Sequence, residues 1–381
     1  MNRRVRSVWK TAWLAFSGDM MILRPLSEPE RRSPLFALLR AAECSVGNLE
    51  VPLTTAAPEA EKASTLRADP ERAQDVAEMG FDVVTLANNH ALDCGLQGLR
   101  DTIAALETVG VQHVGTGANQ RASYEPVFRE TSGGKVAIFG VASTLPPGFA
   151  AGAFRPGIAP IRVLSQFAVD PAVVSEQPGI APFVHTQAHQ ADVDSFCEFV
   201  SDAKSKADFV AVMIHWGVPH GWVPLSQGVL AEYQRPLAHA LIDAGADIVV
   251  GNHPHAVHPV EVYQQRLIAY SLGNFVFQAW PELRQASDKG RYSSSLPMAP
   301  YRNPFNDPAT LESVLLLAQR GERVSYRFVP TLMSSDGNPI VADPVTANRI
   351  IDRLEGNEPD QYQIARLSDA ELNTIVGEVI L

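Results

Sequence analysis

One pattern recurs along this chain: a short apolar, β-branched run breaks off in a cluster of polar residues. Residues 13–16 lead to Gly18-Asp19, residues 44–46 to Gly47-Asn48-Leu49-Glu50, and residues 81–86 to Asn88-Asn89-His90. Later, residues 209–214 lead to His215-Trp216-Gly217, residues 248–250 to Gly251-Asn252-His253-Pro254-His255, and residues 267–272 to Gly273-Asn274-Phe275. Apolar runs this short read as buried strands. Helical patterns fall between them. Residues 69–79 open with Asp69-Pro70, an N-cap followed by proline at the first helical position, and stop before Gly80. Residues 96–108, 192–207 and 227–244 predict further helices, the last ending before Gly245. Alternating strand and helix give the α/β class. Open α/β sheets bind ligands beyond the carboxyl ends of their strands, where these polar clusters fall.

The remaining text predicts strands at 312–317 and 324–329 and helices at 345–354 and 369–379. Residues 52–67, 145–190 and 280–308 are long stretches without a clear period, expected to wall a substrate site. No internal repeat is present. The expected organisation is one domain over 1–381, with the motifs in 12–280 and the elements of 309–381 packed on it.

Composition narrows the function. Apolar residues make up 46% of the 381, enough for a large core. The formal net charge is −11 and no Lys/Arg stripe stands out, which excludes a nucleic-acid backbone as partner. Cys44, Cys94 and Cys197 are odd in number and far apart, so they read as small buried residues in a reducing compartment. The basic residues 3–6 imitate a signal peptide, but the apolar stretch after them is short and runs into Gly18-Asp19. No apolar run approaches the roughly 20 residues of a membrane span. The expected location is cytoplasmic.

Metal ions in hydrolytic sites take imidazole nitrogens with carboxylate or amide oxygens. Asp19, Asn48 or Glu50, Asn89, His215, His253 and His255 offer such a set. Each alone has a structural explanation: a turn aspartate, a helix-capping asparagine, a satisfied core histidine. Six apolar runs ending in six polar clusters are harder to explain by packing, because buried His and Asp are costly unless paired or coordinated. His253-Pro254-His255 is the sharpest local signal. Residues i and i+2 of an extended segment share a face, so two imidazoles at a strand end can reach one site.

In this order, the motifs Gly18-Asp19, Gly47-Asn48-Leu49-Glu50, Asn88-Asn89-His90-Ala91-Leu92-Asp93-Cys94-Gly95, His215-Trp216-Gly217, Gly251-Asn252-His253-Pro254-His255 and Tyr270-Ser271-Leu272-Gly273-Asn274-Phe275 resemble the CapA family of capsule and poly-γ-glutamate biosynthesis proteins. The resemblance covers about three-quarters of the chain. It implies the calcineurin-like metallophosphoesterase fold, a four-layer α/β/β/α sandwich. It also implies one or two divalent ions (manganese, iron, zinc or calcium) on Asp19, Asn48, Glu50, Asn89, His215, His253 and His255. Two departures weaken a two-metal site. Met20-Met21 follow Asp19 where the general motif is Asp-x-His, and Asn48 stands near the position of a bridging aspartate.

By the same resemblance His90 is the acid/base group. Asp93, three residues on, either holds its ring or merely favours the first turn of a helix. His220 adds a third candidate catalytic residue where the family wording departs. Lys62 and Arg67 become candidate binders of an anionic substrate, and His258 and Glu261 candidate supports. The implied reaction is metal-dependent hydrolytic or acid/base chemistry on a peptide, a poly-γ-glutamate-like polymer or a phosphoester. Two alternatives stand beside it: a metal-dependent peptide epimerase like those of lasso-peptide biosynthesis, and a non-catalytic accessory protein of capsule or poly-γ-glutamate synthesis.

Overall fold

The apolar runs become strands buried on both faces. In Phe209–His215, the side chains of Phe209, Ala211 and Met213 join one apolar layer and those of Val210, Val212 and Ile214 another. A strand covered on both faces must be apolar throughout, which is why these runs lack alternation. The computed structural model describes residues 12–62, 64–180, 182–218, 230–278, 308–320, 324–356 and 363–380.

Two large sheets carry the strands. The first runs, edge to edge, Ala365–Asp369, Thr374–Ile380, Val324–Met333, Glu312–Arg320, Ala12–Met21, Cys44–Leu49, Val83–Thr85 and Gln112–Val114, with Asn274–Phe277 paired to Ala12–Met21 and Pro339–Val341 to Val324–Met333. The second runs Val260–Tyr263, Arg266–Ala269, Ile248–Asn252, Phe209–His215, Gly134–Ala142 and Val127–Thr131. The motif strands are parallel: Ala12–Met21 with Cys44–Leu49 and Asn274–Phe277, and Phe209–His215 with Ile248–Asn252. Their carboxyl ends therefore lie together.

Three apolar clusters join the layers. Leu14, Phe16, Val46 and Leu316 of the first sheet meet Ile138, Met213 and Val250 of the second. Helices Pro34–Ala41, Arg72–Met79 and Gly95–Thr108 put Leu39, Val76 and Leu106 into the cluster of the first sheet with Ala15, Leu49 and Val84. Helices Gln190–Lys204 and Gln234–Asp243 put Phe196 and Leu241 with Val210, Val212 and Val249 of the second.

The structure corrects several expectations. Residues 369–379 do not form a helix. Ala365–Asp369 and Thr374–Ile380 are an antiparallel hairpin, and Thr374–Ile380 also pairs with Val324–Met333. The chain there reads Thr-Ile-Val-Gly-Glu-Val-Ile, β-branched with an internal glycine, and pairing with an open sheet edge decides its state. Residues 145–190 are not a bare loop. Gly157–Ile158 pairs with Thr116–Gly117, and Val163–Ala168 pairs with Phe183–Ala188 around the short helix Pro171–Glu176. The Asp69-Pro70 start is a turn in which Asp69 accepts from the Glu71 N–H at 2.9 Å, and the helix proper begins at Arg72. The first strand continues past Gly18-Asp19 to Met21 with register shifts on both sides of Asp19. Most of 280–308, and the beginning of the 227–244 pattern, lie outside the described residues. Cys44 and Cys94 are buried and Cys197 half-buried, all as free thiols. Among the described residues no helix is long and apolar enough to cross a membrane.

Candidate metal centre

The centre begins with a close approach of backbones. A Cβ on Gly18 would lie 1.8 Å from the Gly273 carbonyl oxygen, so only glycine lets these segments meet. The contact hands the next residue a partner, for the Asp19 N–H donates to the Gly273 oxygen at 3.0 Å. Asp19 is thereby registered beside Asn48 on one neighbouring strand and Asn274 on the other. The Asn48 amide donates to Asp19 Oδ1 at 2.8 Å and lies 3.2 Å from His215 Nδ1. Asn88 fixes Asn48 in turn, donating to its Oδ1 at 2.9 Å and to the Leu49 carbonyl at 2.8 Å. Glu50 follows at the strand end, its N–H donating to the Met20 carbonyl at 2.9 Å.

His253 and His255 reach the same place through strained backbone. Their φ angles are 95° and 55°, in the left-handed region that side-chain-bearing residues rarely adopt. At these turns the two imidazoles lie close, with ring centroids 5.8 Å apart. The His253 N–H donates to Asp19 Oδ2 at 3.0 Å. His255 Nδ1 lies 3.5 Å from the same oxygen and 2.8 Å from Asn274 Oδ1. The His215 and His253 ring centroids are 4.6 Å apart. His215 Nε2 lies 2.9 Å from Asn89 Oδ1 and 3.4 Å from Glu50 Oε1.

All seven residues expected to ligate a metal are therefore connected in one cluster. Within it, donor atoms of Asp19, Glu50 and His215 lie within 4.8 Å of one another, as do those of Glu50, His253 and His255. Both Glu50 carboxylate oxygens and His253 Nδ1 are buried without a hydrogen-bond partner. Buried polar atoms are normally satisfied, and three orphans on two adjacent candidate ligands fit a cation. The electrostatics agree. Burial, then the Glu50 charge, pushes the Asp19 carboxyl up to about 6. Burial also pushes Glu50 upward, but the imidazoles of His215, His255 and His90 outweigh it and hold that carboxyl below its ordinary range. Burial and the neighbouring imidazoles keep His253 well below its usual value, leaving it neutral as a ligand must be.

A second cluster adjoins the first. His90 Nδ1 lies 2.6 Å from Asp93 Oδ2, and the Leu66 N–H donates to that same oxygen at 2.6 Å. Asp93 therefore sits against the His90 ring. Lys62 Nζ lies 2.6 Å from Asp93 Oδ1, 2.5 Å from the Asn89 carbonyl and 3.1 Å from His90 Nδ1. The ammonium is therefore engaged by the dyad. Arg67 donates to the Thr55 and Ala56 carbonyls at 3.3 and 3.1 Å, closing its own loop. Glu261 belongs to another network, accepting from the Tyr270 hydroxyl at 2.7 Å beside His239 at 2.6 Å. His220 lies outside the described residues.

Sequence reasoning left three asparagines unassigned: Asn88, Asn274 and Asn252. The first two brace ligands. Asn252 is 1% exposed with neither amide atom paired. All three stood inside the quoted motifs, and that position was the available signal.

Residues 13–279 match the family model described as "Bacterial capsule synthesis protein PGA_cap". The "PGA biosynthesis protein CapA" of Bacillus subtilis (strain 168) is 33% identical over 288 residues, covering 72% of this chain and 65% of that protein. The "Capsule biosynthesis protein CapA" of Bacillus anthracis is 33% identical over 267 residues, covering 69% and 54%. A "Probable polyglutamine synthesis accessory protein" of Mycobacterium tuberculosis (strain ATCC 25618 / H37Rv) is 32% identical over 241 residues, covering 62% and 56%. The matched part thus spans less than two thirds of these relatives. With the six motifs carried on adjoining strand ends and the family model matched from the first strand through Asn274–Phe277, the chain belongs to the bacterial capsule synthesis protein PGA_cap family.

Proposed function

We propose that this chain has the four-layer α/β/β/α sandwich of the calcineurin-like phosphoesterases and is a metal-dependent hydrolase acting on an anionic, poly-γ-glutamate-like chain. The carrying observation is the buried set Asp19, Glu50, His215, His253 and His255, in which both Glu50 carboxylate oxygens and His253 Nδ1 have no hydrogen-bond partner. A divalent cation held by these residues supplies Lewis-acid polarisation of an acyl or phosphoryl oxygen. The chain's own residues do the rest. Asp93 accepts the Nδ1 proton of His90, which fixes the tautomer and leaves Nε2 as the atom that moves a proton. Lys62 braces Asp93 and ties it to the Asn89 backbone, so the dyad and the metal centre are aligned by one segment. The polymer is suggested by the names of the relatives, PGA and capsule biosynthesis proteins.

Metal analysis of purified protein tests the reading, followed by turnover of γ-linked oligoglutamate. Wild type should hold metal and cleave the oligomer. His253→Ala should lose the metal, and His90→Ala should keep it and lose turnover. Wild-type protein that stays metal-free after incubation with Mn²⁺ and Zn²⁺ would refute the centre. A second reading, the non-catalytic accessory protein, draws on Asn48 and Met21 standing where a fuller two-metal site has ionisable ligands, and on the accessory name of one relative. It predicts metal-loaded protein with no turnover. Deuterium uptake into an intact peptide would turn the assignment to epimerisation.

A further inference from the structure

Lys62 has a second neighbour besides the dyad. Its ammonium sits 5.7 Å over the Phe149 ring, and both residues line a cleft of about 550 Å³ between the 59–62 and 146–156 segments. The cleft therefore adjoins His90 and Asp93 through a shared side chain. Its size suits a ligand of a few heavy-atom groups rather than a wrapped polymer.

The charges lining the cleft are of both signs. Glu59, Glu61 and Arg155 all contribute to its wall. The Arg155 guanidinium donates to the Ala150 carbonyl at 2.7 Å. Among the described residues neither it nor the two glutamates makes an ion pair. Opposite charges that share a cleft without pairing offer places for a ligand carrying both signs. A run of carboxylates would meet Glu59 and Glu61 and be repelled. Phe149 and Leu96 supply apolar wall for the methylenes that lead from the charged Cα to the γ-carbonyl.

We infer that this cleft is a subsite for the amino-terminal unit of an acidic amino-acid chain, with its carboxylate at Arg155 and its ammonium at Glu59 and Glu61. The inference rests on the polymer substrate proposed above and narrows it: the chain is engaged at a free amino end, not in its interior. Arg155 adds an anion-binding group to the two that the family resemblance implies, Lys62 and Arg67.

Isothermal titration of the full chain, loaded with Mn²⁺, with γ-glutamylglutamate and its N-acetyl derivative tests it. Partly exposed charge pairs of this kind are worth a few-fold each, so Arg155→Ala should weaken the dipeptide about three- to ten-fold and Arg155→Glu more. N-acetylation should weaken binding to wild type by a similar factor and have a smaller effect on Glu61→Gln. Circular dichroism checks that each variant is folded. His253→Ala separates the sites: it should lose metal and still bind the dipeptide. Wild-type binding unaffected by Arg155→Glu, equal binding of the acetylated dipeptide, no binding by wild type, or loss of binding in His253→Ala would each overturn the subsite. The proposed hydrolase is judged separately, by metal content and turnover, and survives any of these four results.

Discussion

Asp19→Asn should change the metal-free protein in a pH-dependent way. Asp19 is fully buried, and burial together with Glu50 raises its carboxyl from 3.8 to about 6. For an acid with a raised folded-state value, the fold favours the protonated form. Its penalty is absent below the unfolded value, grows between pH 4 and 6, and is complete above pH 7. A shift of this size corresponds to about 3 kcal/mol lost at pH 7.5 and about 1 kcal/mol at pH 4.5. Asparagine removes the penalty. It also sets an NH₂ group against either the Asn48 amide or the His253 N–H, one hydrogen bond lost at about 1 kcal/mol. In EDTA, Asp19→Asn should therefore be neutral near pH 4.5 and more stable than wild type by about 2 kcal/mol at pH 7.5. For 381 residues the unfolding entropy is about 0.8 kcal/mol per kelvin, so the gain is about 2–3 °C in Tm. Added Mn²⁺ or Zn²⁺ should reverse the order. At a hundredfold excess over Kd the metal stabilises wild type by about 2.7 kcal/mol and the variant far less. Scanning calorimetry at both pH values, with and without metal, measures all four quantities. A wild type/variant difference that does not change with pH, or equal metal stabilisation of both, would refute the argument that Asp19 is a desolvated ligand.

Gly18→Ala forces a Cβ against the Gly273 oxygen and should cost about 1–3 kcal/mol in urea unfolding together with weakened metal binding; normal stability would mean the strands adjust freely. Lys62→Met leaves Asp93 Oδ1 of the buried carboxylate without its ammonium and should cost about 2–3 kcal/mol, whereas Arg67→Met, with its guanidinium on exposed carbonyls, should stay within about 0.5 kcal/mol. Equal losses in the two would return Lys62 to the status of a loop charge. Glu312→Gln weakens the contacts of buried Glu312 with Arg349 at 2.6 Å and Arg353 at 3.1 Å. Because both arginines are partly exposed, the cost should be about 1–2 kcal/mol, visible as faster hydrogen exchange in the helix Pro344–Glu355.

The residues by themselves determined the class and the address of the site. Strands buried on both faces have to be apolar, and parallel strands put their carboxyl ends together, so runs that stop in Asp, Asn or His mark the place where such groups gather. Local text was silent where the outcome depended on distant partners. Residues 369–379 read as a helix, but an open sheet edge captures 374–380 as a strand. For Lys62, folding sets Asp93 and the Asn89 carbonyl around its ammonium. His253 and His255 lie two apart, which puts them on one face of a regular strand; left-handed backbone at both, with contacts to Asp19 and Asn274 from other strands, sets where their imidazoles point. Periodicity and chemistry are properties of neighbours in sequence. Which donor meets which acceptor is a property of neighbours in space, and only the packed sheets decide it.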